Sequence, residues 1–150
     1  GDIKRDNSVD DLIALEYKLG LDRVDTLSRF NARINTIRDR LQKLIYSLKK
    51  EGKTIAGFGA PTKATTLMAH FGLDETMLDF IVDDNPLKQG LFTPITHIPV
   101  LSSEALYDRK PDYLLILAWN FSKPIMKMHE KYSNEIGKFI LPMPESEIVS

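Results

Sequence analysis

The chain has no cysteine. That excludes disulfides, thiolate catalysis and any Cys-based zinc site in one step. It has no apolar run near the roughly 20 residues that a bilayer span needs, and no charged-then-apolar leader at its start. Nor is charge of one sign in excess: 20 Lys and Arg stand against 21 Asp and Glu, for a net charge of −1. Composition therefore offers no electrostatic attraction toward nucleic acid. Internal repeats and low-complexity segments are also missing. What remains is a 150-residue chain, 43% hydrophobic, which is one domain's worth of sequence and enough to bury a core. The expectation is a cytoplasmic protein, or a piece of one, with neither a nucleic-acid nor a membrane partner. Gly1 and Asp2 are compatible with an expression scar.

The chain divides into two unlike parts, residues 1–52 and 53–150. The first is helical. "NSVDDLIALEYKLG" predicts a helix capped by Ser8, with Asp11 three residues on, stopping at Gly20. A longer helix from about Asp22 to Glu51 is predicted from Phe30, Ile34, Ile37, Leu41, Leu44 and Leu48, which step by four and three to form one apolar stripe. Its remaining faces carry Arg29, Arg33, Arg38, Arg40, Lys43, Lys49 and Lys50. They read as a solvated face or as a contact with a neighbouring domain or a second subunit.

From Lys53 the period changes. Strands are expected at 54–58, 78–84, 112–119 and 138–142, with an extended stretch at 98–102 leading into a helix capped by Ser102 or Ser103. Helices are expected at 62–71 and 122–134. Strands alternating with helices imply a parallel sheet with right-handed crossovers. The fold class is thus α/β: a small Rossmann-like parallel sheet with helices on both faces, preceded by a helical extension.

In such sheets ligands bind beyond the C-terminal strand ends. After the first strand comes Gly57-Phe58-Gly59-Ala60-Pro61-Thr62-Lys63. Its glycines permit a sharp turn and close backbone approach. The helix N-terminus behind it suits a phosphate or carboxylate, Pro61 fits the helix start, and Lys63 adds a mobile cation. No Gly-Lys-Ser/Thr follows, which argues against P-loop phosphoryl transfer. The third glycine of a dinucleotide fingerprint is missing. Asp83 lies at the right remove for a ribose hydroxyl, while Asp83 and Asp84 equally suit a turn cap before Asn85-Pro86. The long loop "DDNPLKQGLFTPITHIPV" brings Lys88, Gln89, Thr96 and His97 as polar candidates, His97 being as readily a structural histidine. Trp119 can stack on a ring or serve the core, and Asn120 can hydrogen-bond a ligand. His70 and His129 lie on predicted helices without ligand spacing and are assigned no chemistry. With no nucleophile elbow, metal-ligand cluster or close carboxylate pair in evidence, the pattern is that of a binder and not of a complete catalyst.

"GFGAPTKATTL", "VDDNPLKQGLFTPITHIPV" and "PDYLLILAWNF" together resemble the C-terminal domain of the SAM-dependent sugar C-methyltransferases, in the same order and spacing. The resemblance implies a Rossmann-like domain that meets a nucleotide-linked keto-deoxysugar of the dTDP type. SAM, a zinc-binding domain and the catalytic base would lie in companion domains, in cis or in trans. This chain would then bind no cofactor or metal of its own. Methylation in that family is expected to deprotonate the carbon next to a ketone and pass the enolate to the SAM methyl. The resemblance places Gly57, Gly59, Ala60 and Lys63 against the diphosphate. Asn85, Lys88, Gln89, Thr96 and His97 fall on the family's long loop, and Trp119 with Asn120 on the end of its later strand. Thr65 and Ile95 depart from the family pattern, where a small residue and a glycine are usual. Two other readings stay open: a stand-alone Rossmann-type domain for NAD, CoA or a nucleotide, and a module that assembles, for example as a homo-oligomer, through the long helix.

Overall fold

A computed structural model describes residues 7–150, so Gly1 and Asp2 lie outside the described residues. Two compact units divide the chain, residues 1–36 and 37–150. In the first, α1 (Ser8–Leu19) ends as the sequence predicts: Gly20 adopts the left-handed region at φ 68°, and its N–H reaches back to the last turn. The cap residue is Asn7 and not Ser8, a one-residue shift. Helix α2 (Val24–Lys50) begins in this unit and continues into the second.

The predicted stripe along α2 is only half realised. Ile37, Leu41, Ile45 and Leu48 are buried, whereas Phe30 is 63% exposed. Ile45 completes the face at a four-residue step from Leu41, while Leu44 is only partly covered. Phe30 has the right period but lies in the unit that builds no comparable core.

The second unit carries a six-stranded sheet in the order β3-β2-β1-β4-β5-β6. Its strands are β1 (Ile55–Phe58), β2 (Phe80–Val82), β3 (Val100–Leu101), β4 (Tyr113–Ile116), β5 (Lys138–Leu141) and β6 (Glu147–Val149). The first five are parallel, and β6 returns antiparallel along β5. That last strand was absent from the sequence reading because "EIV" is too short and too exposed to show a period. Between the strands lie α3 (Thr62–Phe71), α4 (Ala105–Arg109), α5 (Ser122–Met128) and α6 (Glu130–Glu135).

Strand residues alternate between faces. Ala56, Phe58, Phe80, Val82, Leu114 and Ile116 share one core with Leu106 of α4, Ile125 of α5 and Tyr132 of α6. Ile55, Ile81 and Leu115 are buried and point to the opposite face. Acidic residues fix the strand starts: Asp112 accepts the Thr54 N–H and hydroxyl at 2.9 Å each, and Asp79 accepts the Ile55 N–H at 2.8 Å.

Two helix expectations are corrected. Neither Ser102 nor Ser103 caps α4; Glu104 occupies that position, and the Ser103 hydroxyl donates to Asp84 instead. The helix expected over 122–134 is broken at His129, whose φ −108° and ψ 30° interrupt it between α5 and α6. The buried His129 ring packs 5.0 Å from that of Phe58, with Nδ1 3.1 Å from Tyr107 Oη. Placing the ring there takes precedence over a straight helix.

Candidate functional site

The strand order reverses between β1 and β4, each turning to a different neighbour. The crevice at such a switch point is where open α/β sheets hold ligands. Two glycines shape its floor for different reasons. Gly57 lies within β1, where an added Cβ would stand 2.9 Å from both Ile81 Cγ1 and Leu117 Cδ1. Its smallness serves sheet packing. Gly59 has φ +88°, a conformation costly to any residue with a Cβ, and its N–H donates to the Val82 carbonyl at 2.8 Å.

The carboxylate of Asp83, just beyond β2, then ties the turn together. Oδ2 accepts the Ala60 N–H at 2.7 Å and Oδ1 the Asn85 N–H at 2.9 Å. Lys88 Nζ lies 3.1 Å from Oδ2, and Gln89 Nε2 donates to the Asp83 carbonyl at 2.9 Å. Burial by itself raises the Asp83 pKa. The two backbone N–H groups and the Lys88 ammonium outweigh it and hold the carboxyl below its ordinary value. Asp83 thus caps the Asn85 turn, one of the two readings open from sequence, and also holds the glycine turn against the loop.

Lys63, in the first turn of α3, behaves differently. Its ammonium donates to the Asn120 side-chain oxygen and sits 5.3 Å from the centre of the Phe121 ring. Among the described residues no carboxylate pairs with it. Lys88 spends its charge on Asp83; Lys63 leaves its charge at the mouth of the cleft.

That cleft has a volume of about 200 Å³. Phe58, Gly59, Pro61 and Lys63 form one side of it, Asp83, Asp84 and Lys88 another, and Ala118 with Phe121 close it. Beside it, sharing Pro61 and Lys88, lies a cavity of about 340 Å³ between α3 and the loop after β2. Its walls include Met68, Leu91, Phe92 and Pro94. A third cavity, of about 380 Å³, sits at the opposite end of the sheet around Lys53, Asp112 and Lys138. It lies below the N-terminal strand ends, where this architecture does not place ligands.

Several predicted residues therefore converge: Gly59, Ala60, Lys63, Asp83, Lys88 and Asn120. Others do not. The loop after β2 is ordered as an arm in which Val100 and Leu91, and Thr93 and Ile98, pair through their backbones. This carries Thr96 and the exposed His97 to the tip, where Thr96 Oγ1 meets Thr93 Oγ1 at 2.7 Å. Neither lines either cavity at the turn. Asn85 Oδ1 accepts the Leu87 N–H at 3.0 Å, an Asx turn, and Trp119 stands in a one-turn 3-10 helix that ends at Phe121. Phe121, Ala118 and Phe58 escaped the sequence reading as wall residues. For Phe121 the signal was present, since "WNF" directly follows the buried β4 run.

The sequence matches the family of C-methyltransferase C-terminal domains over residues 1–144. The chain belongs to that family. This C-methyltransferase domain is also 35% identical over 143 residues to the C-methyltransferase NovU of Streptomyces niveus. The match takes in 95% of the chain and 34% of NovU, so the domain spans about a third of that relative's length. The glycine turn, the Asp83 staple, the arm and the Asn120 turn all fall within the matched segment.

Proposed function

We propose that this domain supplies the substrate-binding wall of a SAM-dependent C-methyltransferase acting on a nucleotide-linked keto-deoxysugar. The diphosphate would lie over Gly59, Ala60 and Lys63 at the switch point, and the sugar or base along the arm side of the crevice. One observation carries the reading: among the described residues Lys63 is a cation without a carboxylate partner, standing over a cleft at the C-terminal strand ends of a domain of this family. Its present partners are a neutral amide and an aromatic ring, which a diphosphate can replace without breaking an ion pair. Asp84 lines the same cleft and suits a sugar or ribose hydroxyl.

The methyl donor is assigned to a companion domain. At the end of β2 the Asp83 carboxylate accepts the Ala60 and Asn85 N–H groups and faces the Lys88 ammonium, so in this reading it serves the turn. What this domain contributes is orientation of the sugar and exclusion of water from the reacting face. Gly57 serves packing in this reading, while Asn85, Gln89 and His97 shape and fix the arm, with Thr96.

Amide NMR spectra during titration with dTDP, and with SAM and NAD in parallel, test the proposal. Shifts at 57–63, 83–89 and 118–121 with dTDP alone are expected. Shifts with NAD in place of dTDP would assign the domain to a cofactor instead.

A further inference from the structure

The first unit exposes apolar side chains on both of its helices. Leu12 and Ile13 of α1, Leu21 in the turn, and Val24, Leu27 and Phe30 of α2 are each between 45% and 79% exposed. Helix α1 buries no residue at all, and α2 buries none before Ile37. Single exposed leucines need no explanation, but contiguous apolar patches beyond a few hundred Å² mark interaction sites. A 12-residue helix that buries nothing also lacks the tertiary packing from which most helical stability comes.

From these observations we infer that the apolar face of residues 9–30 is the seat of the part of the C-methyltransferase that precedes this domain. In this family the domain is C-terminal, so the rest of such an enzyme comes before it in chain order. The domain spans 34% of NovU, leaving about two-thirds of that relative's length as the candidate occupant. The chemistry of the face is that of a protein interface: leucine, valine and phenylalanine positions suit a partner's own apolar surface, whereas a phosphate or a sugar would find few groups to bond.

The inference rests on family membership and is independent of the sugar-nucleotide reading, so the two can fail separately. Hydrogen exchange across residues 8–36 tests it, comparing the 150-residue chain, at a concentration where light scattering finds a monomer, with the methyltransferase chain or complex that contains it. Exchange slowed about tenfold or more in the complete enzyme is the expected result. Leu12→Ser with Phe30→Ser should restore fast exchange there while the amides of the sheet stay protected. Equal exchange in both samples would overturn the inference. So would protection that grows with the concentration of the 150-residue chain alone, since a second copy would then be the occupant. The same samples titrated with dTDP report on the cleft, separating loss of the interface from loss of nucleotide binding.

Discussion

Asp83 and Lys63 sit on opposite sides of the glycine turn, and their partners assign them different work. Asp83 is nearly enclosed, and its two oxygens are filled by Ala60, Asn85 and Lys88. Replacing it with Asn removes a charge-assisted acceptor from two amides and leaves Lys88 without its counter-charge. Asp83→Asn is expected to cost about 1.5–3 kcal/mol of stability by urea denaturation. The sign of its pH dependence follows from the depressed carboxyl. Its contribution is fully present above the ordinary carboxylate pKa and is lost as pH falls through the lower folded value. Acid destabilisation below about pH 4 should therefore be shallower in the Asn variant. Lys63, exposed and paired with no carboxylate among the described residues, should matter for binding and little for folding. Lys63→Ala is expected to weaken dTDP binding by about 1.5 kcal/mol, read by titration calorimetry, with the thermal midpoint unchanged. Unaltered affinity would remove Lys63 from the site. From sequence, the pairing of Asp83 with a turn 23 residues earlier was half legible: an acid at that strand end was visible, its choice of partners was not.

At the level of elements, the reading succeeded where a periodic run is long and failed where tertiary contacts decide. The β4 run and Gly20 announced themselves through burial and turn chemistry. The break at His129 did not, because "SKPIMKMHEKYSNE" is helical by pattern, while the buried His129 ring at the interruption meets Phe58 and Tyr107, contacts the pattern does not show. Among the described residues His129 Nε2 is buried without a hydrogen-bond partner. Burial lowers the His129 pKa from 6.5, partly opposed by the Asp84 charge. Because the unfolded chain then binds the proton more readily, stability is expected to fall as pH drops below about 6.5, a window separate from that of Asp83. His129→Gln should flatten the slope of stability between about pH 6.5 and 5. The arm after β2 hides a second tension. Ile95, at its exposed tip, adopts φ 69°, a conformation costly for a β-branched side chain. Relief of that strain should outweigh the extra freedom of an unfolded glycine, so Ile95→Gly is expected to stabilise the fold by about 1 kcal/mol. A lowered chemical-denaturation midpoint would show that the tip's side chain is held by contacts worth more than the strain.

On the scale of the whole molecule, the sequence reading gave the helical lead-in one long stripe from Phe30 to Leu48, yet burial begins only at Ile37. Hydrophobic period reports that a helix has an apolar face; it does not report which neighbour covers that face. The division at residues 36 and 37 therefore has an energetic meaning. The cooperative core of this chain is the sheet with the helices that bury side chains beside it, and α1 contributes no buried residue to it. Deleting residues 1–22 should accordingly leave the unfolding free energy of the remaining chain, from urea denaturation, within about 0.5 kcal/mol of its original value, the range of surface changes. The denaturant slope should also hold, since it tracks the surface exposed when the core unfolds. A drop of more than about 1 kcal/mol, together with a shallower slope, would mean that α1 is part of the cooperative unit after all.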